Sequence, residues 1–225
     1  MPRGSPELTR ARREEIITAC EKLYQTMRFK DITIRDIGKA TTFGRTSIYN
    51  YFQTKEEIFL ALLQREYEEW TSDLEKLAAR SVPRTREELA RGLAGTLEKR
   101  GLLLKIMTMN HFEMEEHSRE ERLVEFKVAY GASVRALKRC LEVFCPEMTG
   151  EEEQEFLYAF FPFMYGIYPY TSVTEKQHRA MEAAGIDYVY RSAYDLSYTF
   201  LKKLLGVEAE FPPPNNMESR REGLK

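Results

Sequence analysis

Between Arg45 and Phe52 the chain sets hydrogen-bonding side chains against apolar ones at helical spacing. At about 100° per residue, Arg45, Thr46, Tyr49 and Asn50 share one arc with Ser47 and Tyr51 beside it, while Ile48 and Phe52 project the other way. Guanidinium, hydroxyl and amide groups on one face are the types that bond base edges and phosphate oxygens. Upstream, Ile34 and Ile37 give a second short apolar face over which Phe43 can close. Ile16, Cys20, Leu23 and Met27 form a stripe at i, i+4, i+7 and i+11 of a preceding helix. Two short helices, a four-residue turn between them and a long helix directly after have the layout of a helix-turn-helix, whose second helix enters the DNA major groove.

Such a face needs helices to hold it, and the chain marks where they start. Ser or Thr followed three residues later by Asp, Glu or Gln is the capping-box pattern, in which two orphan N–H donors are satisfied reciprocally. It occurs at Thr33–Asp36, Thr54–Glu57, Thr85–Glu88, Ser118–Glu121, Thr149–Glu152 and Thr174–Gln177. Breaks are expected at 29–32, 81–83, Gly101, 145–150 and Gly185. No segment alternates with period two, so the spacing predicts an all-α protein with no sheet. From Lys55 to about Ala79 a rod of roughly 37 Å would carry Ile58, Phe59, Leu62 and Leu63 against the head and Trp70, Leu74 and Leu77 against a larger body. A rigid element that touches both parts can act as a lever between them.

Composition narrows the function. The net charge of −2 argues against a protein that coats nucleic acid by charge alone. Residues 1–60 hold 11 Lys and Arg against 8 Asp and Glu, and the remainder 23 against 28, so a mildly basic head sits on an acidic body. Cys20, Cys140 and Cys145 give no disulfide framework, and Cys140 and Cys145 are poorly spaced for a metal. There is no phosphate-cradling glycine loop, nucleophile elbow or zinc-protease motif, so an enzyme is not expected. Nor is there an apolar run of membrane-spanning length or a signal-peptide pattern, and a cytoplasmic protein without membrane contact is expected. Met1–Ser5 resembles a protease-site scar and is set aside, and the Pro-rich stretch from Phe211 onward reads as a disordered tail.

The run Thr46–Ile58, Thr-Ser-Ile-Tyr-Asn-Tyr-Phe-Gln-Thr-Lys-Glu-Glu-Ile, resembles the small-Thr-Leu-Tyr-x-His-Phe-x-x-Lys-x-x-Leu signature of the TetR family of bacterial transcriptional regulators. Asp36, Ile37 and Ala40 also fall where that pattern has Asp, Ile and Ala, and the likeness covers roughly residues 10 to 60. It implies base contacts from Arg45, Thr46 and Asn50, and phosphate contacts from Thr33, Ser47, Tyr49, Tyr51 and Lys55. Lys55 opens the long helix, where backbone N–H groups already favour an anion. Arg35 is a weaker candidate. The family has Ala-Gly-Val-Ser where this chain has Thr41, Thr42, Phe43 and Gly44. A left-handed backbone at Thr42 would be strained, and Gly44 is a modest cap. Tyr51 replaces the usual His.

The organisation expected is a helix-turn-helix head at 9–53 and a helical effector-binding and dimerisation body at 54–206, its connecting helix at 54–79, with flexible tails at 1–8 and 207–225. Between Leu102 and His117 the chain is rich in Leu, Met and Phe with a few polar groups, the composition of a ligand pocket. Met107, Met109, His111, Phe112, Phe126, Tyr130, Tyr158, Phe161 and Tyr165 are the expected lining for a small-molecule effector. Glu113 and His117 lie four apart, but no metal and no cofactor is expected. Two segments read as a dimer surface: 155–171, apolar at nearly every position, and a final helix from Asp187 to about Leu205. Phe156, Phe160, Phe163, Ile167, Tyr190, Tyr194 and Leu201 are the contacts expected. The resemblance implies that the last two long helices form a four-helix dimer bundle, hence a homodimer on a pseudo-palindromic double-stranded DNA operator. A repressor released by its ligand fits these features; the alternative is a DNA-bound scaffold with no small-molecule switch.

Overall fold

Thr33, Thr54, Thr85, Thr149, Thr174 and Ser192 each accept a hydrogen bond from the backbone N–H three residues on, and each opens a helix. The cap satisfies one of the N–H groups that a helix start leaves without a partner. The computed structural model describes residues 5–81 and 83–207, without the side chains of Arg45, Met109, Asn110 and His111. Over that span the protein is all α. The order is α1 (Pro6–Thr26), a 3-10 turn (Phe29–Asp31), α2 (Ile34–Lys39), α3 (Arg45–Ile48), α4 (Lys55–Ala78), α5 (Arg86–Glu98), α6 (Gly101–Glu116), α7 (Glu120–Phe144), α8 (Gly150–Thr171), α9 (Glu175–Ala183) and α10 (Ala193–Leu204).

Two expected starts move. Ser118 does not cap α7; the helix opens after Arg119, whose backbone N–H and guanidinium are both held by Glu57. The last helix opens at Ala193 rather than Asp187, because Ser192 and Asp195 form a full capping box. Asp187 has no such partner, and 186–192 carry no helix. At the other end α1 already begins at Pro6, capped by Ser5, inside the stretch expected as a tail. Met1–Gly4 and the expected tail from 208 onward lie outside the described residues.

The head closes on Ile16, Cys20, Phe29, Ile37, Ile48 and Phe52, all buried, and α4 continues the same core with Ile58, Phe59 and Leu62. Farther along, α4 lies against α6 and α7 and presents the buried Tyr67, Trp70 and Leu74 to the body. Trp70 Nε1 donates to Thr96 Oγ1 at 3.1 Å, which satisfies the indole N–H inside that core. The helix α8 runs through Pro162 and Pro169. Pro169 has no N–H to offer the Tyr165 carbonyl one turn back, and Thr108 Oγ1 of α6 donates to that oxygen instead, at 2.7 Å. α10 docks on α5 and α8. Tyr198 bonds Glu87, and Phe200 stacks on Phe163 with ring centroids 4.0 Å apart.

Two carboxylates interrupt the apolar lining of α4, Glu57 at its start and Glu66 midway. Of the two, Glu66 is the one without a close ion-pair partner among the described residues. It is buried, and Glu21, Arg65, Glu69 and Arg100 are the charges around it. Burial, with Glu69 adding to it, pushes the carboxyl up to about 7 from an ordinary 4.5. The unfolded chain therefore gives up this proton at lower pH than the folded one, so Glu66 takes stability away as pH rises from about 4.5 to 7. Urea unfolding across that window should show Glu66→Gln with a flatter pH dependence than the parent and a gain above pH 7; parallel profiles would contradict this.

Candidate nucleic-acid interface

The two faces of the second short helix separate as their side chains require. Ile48 and Phe52 are fully buried, whereas Thr46, Tyr49 and Asn50 are exposed and Ser47 is half-buried. The helix itself is a single turn, Arg45–Ile48, continued by turn residues to Tyr51. Backbone strain does not arise at the preceding turn: no non-glycine residue has positive φ among those described, and Gly44 is extended at φ −71°. Thr41 Oγ1 donates to the Gly38 carbonyl at 3.0 Å, and the Thr42 N–H donates to the Glu15 carboxylate of α1. Those side-chain bonds replace the glycine of the family pattern.

Thr33, Arg35, Tyr49 and Lys55 line one open hollow together with Lys30, Ile32, Ile34 and Glu56. Lys30, Arg35 and Lys55 give it three cations against one carboxylate, the balance a phosphate oxygen needs. Lys30 was not singled out from sequence; it is brought here by the 3-10 turn, which has no strong sequence mark. Thr33 caps α2 and its hydroxyl donates to Asp36 at 2.6 Å. The Lys55 ammonium already donates to the Phe29 carbonyl at 3.1 Å and lies 4.3 Å from the Phe29 ring centroid. A phosphate here would be a further acceptor for it. Tyr51 must be corrected: it is buried in the head core rather than on the polar face, because its place in the turn points its ring inward with Phe52.

The head is tied to the body by charge as well as by apolar contact. Glu57, on the first turn of α4, is almost fully buried. Its carboxylate accepts from the Gln53 N–H at 2.7 Å and from Arg119 Nε and Nη2 at 2.6 and 2.9 Å. Beside it Thr54 Oγ1 donates to the His117 carbonyl at 3.1 Å, and Arg122 Nη2 donates to the Tyr51 carbonyl at 3.3 Å. Arg13 of α1 and Arg122 of α7 share Glu125 and lie on the Phe52 ring. Farther along, Lys105 Nζ of α6 donates to the Tyr24 carbonyl at 2.8 Å.

The family profile "Bacterial regulatory proteins, tetR family" matches residues 16–62, and "Tetracyclin repressor-like, C-terminal domain" matches residues 64–204. The chain belongs to the TetR family. Among solved structures, the TetR-family transcriptional regulator PfmR from Thermus thermophilus is similar at a TM-score of 0.55 and 12% identity, covering 86% of this chain and 95% of that one. AmtR from Mycobacterium smegmatis is similar at 0.52 and 16% identity, covering 94% and 91%. At these identities the likeness is one of fold. No curated protein matches in sequence.

Within this TetR-family body, five of the expected pocket residues converge on α4. Met107, Phe126, Tyr130, Phe161 and Tyr165 gather around Tyr67. The Tyr67–Phe126 and Tyr67–Tyr130 centroids are 5.8 and 5.6 Å apart. Tyr67 and Trp70 were missed as members because their spacing reads as plain helix core. Phe112 and Tyr158 are corrected: they stand 87% and 73% exposed, on the outward sides of α6 and α8. The side chains of Met109 and His111 lie outside the described residues. No metal cluster occurs among the described residues, and the His117 Nδ1 faces the Glu113 carbonyl rather than its carboxylate. The expected dimer contacts Phe156, Phe160, Ile167 and Leu201 are corrected too, since all four are buried within the chain against α4, α6 and α5. Tyr194 stacks on Tyr198 beside α5, and Phe163 and Tyr190 keep part of their surface. No described helix is long and apolar enough to cross a membrane.

Burial raises the Glu57 carboxyl, but the bonds from Arg119 and from the Gln53 and Arg119 N–H groups outweigh it and hold the carboxyl below its ordinary 4.5. The stabilisation is therefore complete above about pH 4.5 and fades as pH falls through the folded-state value. Glu57→Gln should cost about 3 kcal/mol at pH 7, the low end for a broken buried pair because Arg119 stays partly in water. The loss should shrink on acidification, and a constant difference from pH 7 down to pH 3 in chemical denaturation would refute the assignment.

Proposed function

We propose that this TetR-family regulator is a homodimeric repressor that binds a two-fold DNA site through Arg45, Thr46 and Asn50 at bases and Thr33, Ser47, Tyr49, Lys55 and the adjacent Lys30 and Arg35 at phosphates. A small, largely apolar ligand taken up by the aromatic cluster around Tyr67 releases it. The observation that carries this reading is the path of α6. One part of the helix supplies Met107 to the cluster, and at its end the His117 carbonyl holds Thr54, next to the recognition turn. A ligand that shifts α6 shifts the phosphate-facing start of α4 with it, and the two states differ by the ligand's own contacts. The outward faces of α8 and α10, with Phe163, Pro162, Gly166 and Thr199, are the dimer surface in this reading, in place of the buried aromatics.

The scaffold alternative has one observation in its favour: the rings around Tyr67 already pack with centroids 5.6 to 6.2 Å apart, which fills a core as well as it lines a site. Footprinting on the DNA upstream of the gene decides whether a site is bound, and a thermal-shift screen finds ligands whose release of that DNA is then measured. Protection over two half-sites and release by a stabilising ligand are expected; protection that no stabilising ligand relieves would favour the scaffold. Arg45→Ala should weaken specific binding by about 1–3 kcal/mol while leaving random-sequence binding much less affected. Equal losses on both DNAs would remove Arg45 from the base-reading set.

A further inference from the structure

Residues 172–192 form a lobe that the rest of the chain hardly covers. α9 has nine residues and none is buried. A lone helix that short is marginal in water even with good caps, and within the chain it is Tyr190 that packs on it, at His178. The lobe and the end of α8 enclose a groove lined by Pro169, Tyr170, Val173, Met181, Tyr188 and Tyr190. Tyr170, Ile186, Val189 and Tyr190 around it are all exposed, so large apolar side chains cluster at the surface here.

The same apolar surface runs back along α8. Glu155, Tyr158, Pro162, Gly166 and Pro169 are all exposed and follow one another at three- and four-residue steps, so they form a single outward stripe. Its middle is flat: Pro162 has a compact ring, and a Cβ on Gly166 would meet nothing within 4 Å. Tyr158 stands at one end, 73% exposed, and the groove at the other.

We propose that Tyr158 of one copy enters the Tyr170–Tyr190 groove of a second copy, and reciprocally, so that the lobe clasps the start of the partner's α8. The occupant follows from register. A two-fold axis across the Pro162–Gly166 stretch pairs the two α8 helices antiparallel. Tyr158 and Tyr170 each lie six residues from Met164, about 9 Å along the helix, so the same axis brings each tyrosine of one kind to the groove of the other copy. Charge agrees with that placement. One and two turns before Tyr158 lie the exposed Glu155 and Glu151, and the exposed α9 offers Lys176, its Arg179 being paired with its own Glu175. A tyrosine also suits the site chemically, since its ring fits the apolar lining while its hydroxyl meets Gln177 at the rim.

This rests on the homodimer reading and adds the contact that locks it. Sedimentation of the full chain and of Tyr158→Ala, Tyr190→Ala and the double variant measures the dimer constant; Tyr158 is exposed, so its loss leaves the fold intact, with helical circular dichroism as the check. Each single variant should weaken the dimer at least tenfold, and the double should be no weaker than the worse single, as expected for partners in one contact. Tyr158→Cys combined with Ala180→Cys should give a disulfide between copies on oxidation, and neither cysteine alone should. A dimer of unchanged strength in Tyr158→Ala, or a cross-link in Tyr158→Cys alone, overturns the clasp and leaves the homodimer standing. A chain that is monomeric at every concentration overturns both.

Discussion

A charge buried at the joint between head and body governs how this structure is assembled. The Glu57 carboxylate cannot stay in that place unpaired, because a desolvated ion left without partners is strongly destabilising. Its partners are therefore fixed: the Gln53 N–H just before α4, and the guanidinium and N–H of Arg119 just before α7. One side chain thus sets the start of two helices and the distance between the recognition turn and the α6–α7 corner. The bonds from Thr54 to His117 and from Arg122 to Tyr51 span the same joint. Along the rest of α4 the contact with α7 is apolar and close-packed, which resists sliding. The joint is directional and polar where the helix meets the head, and apolar where it meets the body.

What the sequence made legible follows from how local each cause is. Helix starts depend on a residue and its neighbour three places on, so Thr33, Thr85, Thr149 and Thr174 announce them correctly. Spacing alone also separates Thr46, Tyr49 and Asn50 from Ile48 and Phe52, although it misplaces Tyr51. The Glu57–Arg119 pair spans 62 positions, and Glu57 reads locally as the third residue of a capped helix, which it also is. Nothing near it announces Arg119. Ser118 fails as a cap for the same reason, since a long-range bond to Arg119 overrides the local pattern. At the turn the family's glycine was legible as missing, but the Thr41 and Glu15 bonds that replace it were not.

Phe156, Phe160 and Ile167 read as dimer contacts for a different reason. Between Phe156 and Tyr170 nearly every position is apolar, so hydrophobic periodicity has no phase and cannot say which side faces inward. The phase comes from the residues that look least like a helix face. Tyr158, Pro162, Gly166 and Pro169 take the outer stripe because Phe156, Phe160, Met164 and Ile167 are buried on the other.

The prolines of α8 fit that outer stripe for a structural reason. Each removes one helical N–H and leaves a carbonyl four residues back to be satisfied otherwise. Thr108 supplies the donor for Tyr165, and in doing so bonds α8 to α6 by a side chain rather than by apolar contact alone. α6 is the helix whose last carbonyl holds Thr54 at the start of the connecting helix. In the proposed dimer, α8 and the element that faces DNA are therefore joined through one intermediate helix by two hydroxyl-to-carbonyl bonds, each made where the chain lacks a regular helical partner. Such bonds can be exchanged for water at small cost, whereas the ring packing around Tyr67 cannot be loosened without opening a cavity. Movement between body and head is thus cheapest along the route those two threonines mark.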